Sequence, residues 1–412
     1  MINKYKKMYC KTVSEFNSIE SQENKAVMKV MKSKVLSGFL ASPDPSEYFG
    51  GREVLKLENL WKKKFKTKYA VSLNSATSGL FSALAAINIR PGDEVIIPPY
   101  TMSATAMAPL AFGATPIFVD IEDKTFGLDP ELVKKAITKR TKAIIVVNLF
   151  GHAAELKKLR KIADDNKIFL IEDNAQSILA SEGNIYCGNY GHIGVFSLNR
   201  HKHIHCGEGG ICVTNDENLG KKLLLIRNHG EGAIDLLKLK DNNIIGYNFR
   251  LTELSAAIAS AQFKKLDKLV NRCINIGREL SDKLRGFDSF EIPEIRKNCN
   301  HVFFMWAIKY KIERNGVPRS QYFKLLKKQN VPIEEGYNEP IYSLPIFSGN
   351  MGNKINNRIT CRVYNKICRV TEELHREKLM TIQIPGLDIK SKNINEFVKA
   401  FEYAENQFKR FI

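Results

Sequence analysis

The sequence predicts an α/β protein with a mostly parallel central sheet that helices cover on both faces. From Tyr69 onward, short apolar runs alternate with amphipathic segments of helical periodicity. The runs at 143–147 and 168–171 are apolar throughout, as expected of strands that are buried on both faces. A regular alternation of strand and helix favours parallel strands joined by helical crossovers.

The elements of this sheet can be assigned in order along the chain. A helical pattern over residues 53–67 precedes it. The predicted strands are 69–73, 94–97, 115–119, 143–147, 168–171, 194–197 and 210–213. The predicted helices are 78–86, 104–112, 130–137, 154–165 and 216–227. Together these elements predict one large α/β domain over residues 51–250.

The pattern changes after Leu251. Residues 252–273 read as one long helix, 302–311 as a strand, 334–357 as a loop-rich stretch and 395–408 as a closing helix. We therefore expect a small α+β domain over residues 251–412, which includes the long helix. Residues 1–50 are expected to form an N-terminal arm with helices.

Composition narrows the class of function. The chain has 412 residues, 44% hydrophobic and 26% charged, which is typical of globular proteins and excludes disordered or fibrous classes. The 63 Lys and Arg exceed the 44 Asp and Glu, which gives a net charge of +19 and favours anionic partners such as phosphates. The sequence has no motif of a nucleic-acid-binding module to accompany this charge, so we expect no binding of nucleic acid.

Cysteine spacing and hydropathy indicate the compartment. None of the eight cysteines forms a Cys-x-x-Cys pair, which predicts free thiols in a reducing environment. No run reaches the roughly 18 apolar residues of a membrane span, and the first residues lack the apolar stretch of a signal peptide. We expect a cytoplasmic protein without a membrane partner.

Candidate functional residues follow the ends of predicted strands, where ligands of open parallel sheets bind. The segment from Asn74 to Ser78 opens a helix, so its N–H groups and hydroxyls could hold an anion. Asp173 ends another strand, with Gln176 three residues later, and its carboxylate could pair with a protonated ring nitrogen. Taken alone, each segment is better explained by ordinary helix capping.

Lys202 lies in an unusual loop that is followed by Gly-Glu-Gly-Gly and a strand. Cationic neighbours and partial burial would lower the pKa of its amine, and a neutral amine attacks carbonyl groups. The alternating His201, His203 and His205 could ligate a metal if they shared one face of a strand. No acidic or cysteine partner stands at ligand spacing, so we expect no metal.

Seven ordered blocks of sequence carry a resemblance to one family. They are Ser75-Ala76-Thr77-Ser78, Pro98–Thr105, Gly113–Asp120, Asn148-Leu149-Phe150-Gly151-His152, Ile171–Gln176, the Lys202 segment with Gly-Glu-Gly-Gly, and Gly246–Glu253. In this order they resemble the DegT/StrS family of sugar aminotransferases. These are pyridoxal 5'-phosphate (PLP) enzymes of the aspartate-aminotransferase fold, fold type I, and the resemblance implies that fold here.

The resemblance implies roles for three residues around the ring of the cofactor. Lys202 matches the lysine that holds PLP through a covalent imine and moves a proton during the reaction. Asp173 matches the aspartate that pairs with the pyridine nitrogen, and Gln176 matches the glutamine near the phenolic oxygen. Lys202 and Asp173 are therefore the expected catalytic residues.

The resemblance also implies a phosphate site and a dimer. Thr77, Ser78 and Ser197 match the residues that hold the phosphate of PLP. Asn248 matches an asparagine that reaches this phosphate from the neighbouring subunit, which implies a homodimer with shared active sites. Met102 stands where the family usually has an aromatic residue stacked on the PLP ring, so weaker stacking is expected.

The implied reaction moves an amino group from glutamate or glutamine to a keto-sugar, with a nucleoside-diphosphate keto-sugar as the preferred acceptor. The segment from Gly336 to Tyr342 resembles the acceptor loop of the branch that aminates keto-cyclitols such as scyllo-inosose, so this alternative stays open. Two further alternatives are a PLP-dependent sugar dehydratase, which carries histidine in place of the lysine, and a non-catalytic PLP-binding regulator.

Overall fold

The computed structural model describes residues 8–40, 42, 44–230, 233–235, 237–239, 244–347, 361–364 and 368–408. Its strands are β1 (Tyr69–Leu73), β2 (Glu94–Ile97), β3 (Thr115–Phe118), β4 (Thr141–Val147), β5 (Phe169–Asp173), β6 (Ser181–Glu182), β7 (Ile185–Tyr186), β8 (Ile193–Ser197), β9 (Gly210–Thr214), β10 (Phe290–Glu291), β11 (Cys299–Asn300), β12 (Met305–Tyr310), β13 (Glu334–Glu335), β14 (Arg362–Val363) and β15 (Leu379–Gln383). All seven strands predicted for the large sheet are present, each with bounds within two residues of the prediction.

The α-helices connect and cover these strands. They are Ser21–Ser33, Pro45–Tyr48, Arg52–Phe65, Ala76–Ala86, Ala104–Ala111, Pro130–Ala136, Leu156–Asp165, Glu217–Arg227, Glu253–Lys264, Leu266–Leu284, Ile312–Asn315, Arg319–Lys328, Arg369–Glu373 and Ser391–Phe408. Among the described residues, no helix combines the length and the apolar character that crossing a membrane requires.

The large sheet has the strand order β1-β9-β8-β5-β4-β2-β3-β14 within the described residues. Its neighbouring strands are parallel except at β9, which is antiparallel to both β1 and β8. Side chains alternate between two hydrophobic layers: Ile144 and Val146 face one, whereas Ala143 and Ile145 face the other. The prediction of a mostly parallel sheet covered on both faces is confirmed.

The smaller sheet, with order β10-β12-β15-β13, is antiparallel. The helix Leu266–Leu284 reaches from the large-domain core, where Leu266 and Val270 are buried, to the core of the smaller sheet, where Leu280 and Leu284 are buried. We keep the division into 1–50, 51–250 and 251–412 as a proposal. Residues 1–7 of the arm lie outside the described residues.

Three predictions for the second half need correction or completion. The helix predicted over 252–273 is two helices, because Lys265 leaves helical geometry (φ −99°, ψ 3°) while its ammonium binds the Ser18 carbonyl at 2.6 Å. The strand predicted from residue 302 begins at Met305, because Val302 donates to the Gly151 carbonyl and Phe303 has a φ of +48°. The loop-rich stretch contains β13 and a turn of 3₁₀-helix at Ile341–Ser343, and its residues 348–357 lie outside the described residues.

Candidate active site

Polar side chains gather where strands of the large sheet end. Asn74 follows β1, Tyr100 follows β2, Asn148 follows β4, Asp173 ends β5 and Ser197 ends β8. These five strands run in the same direction, since β9 is antiparallel to both β1 and β8. Their carboxyl ends therefore meet at one edge, which is where open α/β sheets bind ligands.

Lys202 and Asp173 lie at this edge, close enough for the charge of each to influence the pKa of the other. The ammonium of Lys202 lies 4.6 Å from the centroid of the Phe304 ring. Burial lowers the pKa of Lys202 to about 8, and the negative charge of Asp173 opposes this shift. Burial also raises the pKa of Asp173, while the N–H of Ala175 and the charge of Lys202 act to lower it. A lysine with such a pKa is neutral in about one-tenth of the molecules at pH 7, far more often than an ordinary lysine, and its neutral form can act as a nucleophile.

The loop that carries Lys202 is fixed at both ends and in its centre. The N–H of Leu198 donates to the Gly209 carbonyl at 2.8 Å, and the N–H of Lys202 donates to the Asn199 carbonyl at 2.9 Å. His203 is buried with Nε2 at 3.0 Å from the Val302 carbonyl. Burial lowers the pKa of His203 to about 4, so the ring is neutral and can donate its single N–H to this carbonyl. These contacts hold Lys202 in one position.

The three alternating histidines of this loop do not share a face. His203 is buried against Val302, whereas His201 is exposed and His205 is half-buried. The loop has no strand structure, so the alternation that would have placed the rings together is absent. Among the described residues, no group of three or more His, Cys, Asp and Glu side chains is arranged to hold a metal ion.

The turn after β1 forms a possible anion site. Ser75 caps the helix Ala76–Ala86 by accepting the N–H of Ser78 at 3.0 Å, and the hydroxyl of Ser78 donates to Asn74 at 2.6 Å. Gly210 pairs with both Leu73 and Ser197, so Ser197 lies beside this turn. The structure thus brings Ser78 and Ser197 to the same helix N-terminus. Thr77, the residue before Ser78, is exposed.

Gly210 makes this approach possible. A Cβ atom at Gly210 would lie 2.4 Å from the backbone of Ser75, closer than any side chain can come. The last glycine of the Gly-Glu-Gly-Gly block is therefore required by the close contact between β9 and the turn. Glycine is needed at position 210 of this motif because a larger residue would collide with Ser75.

Gln176 is buried and connects the two domains. Its Oε1 accepts the N–H of Phe150 at 2.8 Å, and its Nε2 donates to the hydroxyl of Tyr337 at 2.8 Å. Met102 is 54% exposed, and its Sδ accepts an N–H of Asn338 at 3.1 Å. Met102 therefore lies at the rim of the site, in contact with the small domain.

Asn248 is exposed. Its Oδ1 accepts the Nε–H of Arg250 at 2.8 Å, and its backbone bridges Asn228. The carbonyl of the adjacent Phe249 accepts the N–H of Asn74 at 2.9 Å, which joins this segment to the turn after β1.

Two contacts at the site were not predicted from the sequence. Phe304 covers the amine of Lys202, and Tyr337 holds the amide of Gln176. Both residues belong to the second half of the chain, more than 100 residues from their partners. Tyr337 lies in the segment that resembles an acceptor loop, but its contact with Gln176 has no local signal, and Phe304 has no signal that distinguishes it from an ordinary core residue.

Comparison with known proteins agrees with this architecture. Residues 20–382 match the model of the DegT/DnrJ/EryC1/StrS aminotransferase family. The UDP-N-acetyl-3-dehydro-alpha-D-glucosamine 3-aminotransferase of Acidithiobacillus ferrooxidans is 32% identical over 341 residues, which cover 77% of this chain and 89% of that protein.

Two solved structures are similar in fold and sequence. The crystal structure of DesV from S. venezuelae in complex with a ketimine intermediate has a TM-score of 0.79 and 27% identity, covering 93% of this chain and 94% of that one. A GDP-4-keto-6-deoxymannose-3-dehydratase with a trapped PLP-glutamate geminal diamine has a TM-score of 0.78 and 26% identity, covering 95% of this chain and all of that one. On the family match and these similarities, the chain belongs to the DegT/DnrJ/EryC1/StrS aminotransferase family.

Proposed function

We propose that this protein is a PLP-dependent aminotransferase that moves an amino group from glutamate or glutamine to a keto-sugar. The observation that carries the proposal is the buried amine of Lys202, whose pKa is lowered to about 8, within electrostatic reach of Asp173 at the carboxyl edge of the sheet. The family match supports the same chemistry, as do the two similar structures, one with a PLP-glutamate adduct and the other with a ketimine intermediate.

The residues present fit PLP. Lys202 would hold its aldehyde carbon, and Asp173 would pair with its ring nitrogen. Thr77, Ser78 and Ser197 would surround its phosphate at a helix N-terminus, where N–H groups favour an anion. Bound PLP supplies a protonated ring that stabilises negative charge on the neighbouring carbon. The amine of Lys202 would move a proton between the substrate carbon and the aldehyde carbon of PLP.

A nucleoside-diphosphate keto-sugar is the acceptor that we propose. The similarity to a UDP-sugar 3-aminotransferase supports it, and the net charge of +19 suits an anionic diphosphate. A keto-cyclitol remains the second candidate because of the segment from Gly336 to Tyr342, which contributes Tyr337 to the site.

A dehydratase is disfavoured by the position of Lys202. The chain is similar to a GDP-4-keto-6-deoxymannose-3-dehydratase, and the resemblance of the sequence implies that a dehydratase would carry histidine in place of the lysine. Here the neighbouring His203 contacts the Val302 carbonyl and is neutral, whereas Lys202 is the residue of the pair whose pKa the charge of Asp173 influences. This arrangement favours lysine rather than His203 as the residue that would hold PLP.

We further propose a homodimer in which Asn248 reaches the partner's phosphate site. Leu36 and Leu40 are both exposed. The Leu36 carbonyl accepts the N–H of Glu253, and the Leu40 carbonyl accepts a side-chain N–H of Asn228, which bridges Asn248. Asn248 thus lies beside an exposed apolar surface, and a second copy of the chain would cover that surface.

All eight cysteines are free thiols, which supports the proposed cytoplasmic location.

The proposal is tested by spectroscopy and by product analysis. Incubation with PLP should give a visible absorption band, and reduction with borohydride should attach the cofactor to the peptide containing Lys202. Lys202→Ala should abolish both while the circular dichroism spectrum stays unchanged. Colourless protein after this incubation, or trapping at another lysine, would contradict the proposal.

The substrates are tested next. Glutamate or glutamine should change the visible spectrum of the loaded protein, which a non-catalytic PLP-binding regulator would not show. The amino-loaded form is then offered dTDP-, UDP- and GDP-linked keto-sugars and scyllo-inosose, with mass spectrometry of the products. Amination of scyllo-inosose alone would replace the nucleotide sugar with the cyclitol as acceptor.

A further inference from the structure

The side chain of Gln176 is held from two sides. Its Oε1 accepts the N–H of Phe150, and its Nε2 donates to the hydroxyl of Tyr337, both at 2.8 Å. A backbone N–H can only donate, so the atom that faces Phe150 must be the amide oxygen. This fixes the orientation of the amide and directs its NH₂ group toward Tyr337.

Both partners of Gln176 are themselves fixed. Phe150 has a φ of +57°, a left-handed conformation that is costly for a bulky aromatic residue and that recurs at functional sites. The N–H of Tyr337 donates to the hydroxyl of Tyr100 at 3.1 Å. The ring of Tyr337 packs edge-on against Phe150 and Tyr100, with centroid distances of 5.1 and 5.9 Å. The position of the Tyr337 hydroxyl is therefore set by the large domain.

The amide of Gln176 has one donor to spare. An NH₂ group carries two N–H bonds, and one of them is donated to Tyr337. Within the part of the chain that the structure describes, no protein atom accepts the other. Burial raises the pKa of Tyr337 to about 12, and the charge of nearby Asp173 acts in the same direction. The hydroxyl of Tyr337 therefore stays protonated and neutral at physiological pH, so its oxygen remains a partner for Gln176.

We propose that Tyr337 is a positioning residue, which holds Gln176 so that the remaining N–H of its amide meets the phenolic oxygen of PLP. This inference rests on the proposed function, which places that oxygen beside Gln176. A hydrogen bond to an anionic oxygen favours its charged form. A tyrosine of the small domain thus acts on the protonation of a cofactor bound by the large domain.

The test is the pH dependence of the visible absorption of the PLP-loaded protein. In Tyr337→Phe the aromatic contacts remain but the hydroxyl is lost, so the hydrogen bond to the cofactor weakens. The pH midpoint of the spectral change should rise by about one unit, the size expected for one hydrogen bond. Tyr342→Phe is the matched control: its hydroxyl lies on the same segment but donates to Glu372 at 2.6 Å, so the midpoint should stay unchanged.

A double-mutant cycle shows whether Tyr337 acts through Gln176. In a Gln176→Ala background, Tyr337→Phe should add no further shift. An equal shift in both backgrounds, or an unchanged midpoint in Tyr337→Phe, would overturn the inference while leaving the proposed function intact. A wild-type protein without a visible band would instead contradict the proposed function. Thermal unfolding of each variant verifies that the fold is retained.

Discussion

The ammonium of Lys202 lies 4.6 Å from the centroid of the Phe304 ring. Phe304 precedes β12 of the small domain and is 3% exposed. Burial of the amine outweighs the opposing charge of Asp173, so the pKa of Lys202 falls to about 8. We expect the Phe304 ring, which the small domain supplies, to contribute to this shift by excluding water from one side of the amine.

Replacement of Phe304 should make Lys202 less reactive. In Phe304→Gln the amine becomes better hydrated and its pKa rises toward the ordinary 10.5. Each unit of increase lowers the neutral fraction about tenfold below the pKa. We expect a matching upward shift in the pH profile of Lys202 acylation in PLP-free protein, measured by peptide mass spectrometry. Phe304→Leu keeps the site apolar and should leave the profile close to wild type; equal profiles for all three proteins would refute the role of Phe304.

Removal of the Lys202 amine should stabilise the PLP-free protein. The folded-state pKa, about 8, is below the ordinary 10.5, so the buried ammonium destabilises the fold fully below pH 8 and progressively less between pH 8 and 10.5. Lys202→Met should raise the free energy of unfolding at pH 7 by about 1–3 kcal/mol. Urea unfolding at pH 7 and pH 10 measures this gain, which should shrink at the higher pH. A gain that is independent of pH would indicate another cause.

Asp173→Asn should retain the fold and the cofactor but lose the reaction. The amide oxygen of asparagine can still accept the N–H of Ala175, which preserves the end of β5. The negative charge opposite the ring nitrogen is lost, so we expect the rate of the half-reaction with the amino donor to fall by on the order of a thousandfold. Stopped-flow absorption measures this rate. A normal rate with bound PLP would show that Asp173 does not keep the ring protonated.

Gly210→Ala should weaken the phosphate site. The new Cβ would lie 2.4 Å from the backbone of Ser75, so the turn that carries Thr77 and Ser78 must move. Such crowding costs about 1–3 kcal/mol, and the dissociation constant for PLP should rise about tenfold or more. Spectral titration with PLP measures this constant. Gly286→Ala is the control, because no atom lies within 4 Å of its Cβ position; a similar effect there would remove the steric explanation.

Mixed dimers should reveal whether active sites are shared. Asn248→Ala weakens the contribution of one subunit, and Lys202→Ala removes the amine of the other. If a site takes Lys202 from one subunit and Asn248 from its partner, half of a refolded 1:1 mixture is heterodimer with one intact site, which restores about a quarter of wild-type activity. Activity of the mixture equal to the mean of the two parent variants would show that Asn248 does not act across subunits.

Sequence reasoning located the large sheet well because its signals are local. The strand β4, for example, contains the wholly apolar run 143–147, and Asn148 follows directly at its end. The blocks around Asp173 and Lys202 fixed the family in the same way. By contrast, the break between two helices at Lys265 coincides with a contact to Ser18, and the late start of β12 with a contact to Gly151. Such contacts between distant residues cannot be predicted from the periodicity of the sequence.

The sequence by itself determined the fold class and the family, and it gave the prediction that Lys202 carries the reacting amine. Each of these depends on short stretches of sequence whose pattern reflects their own burial or chemistry. Only the tertiary structure decided the environment of that amine and the orientation of Gln176. Phe304 and Tyr337 come from segments more than 100 residues away. Apolar and aromatic periodicity shows that such a side chain is buried, but the partner it covers is decided by how the two domains pack.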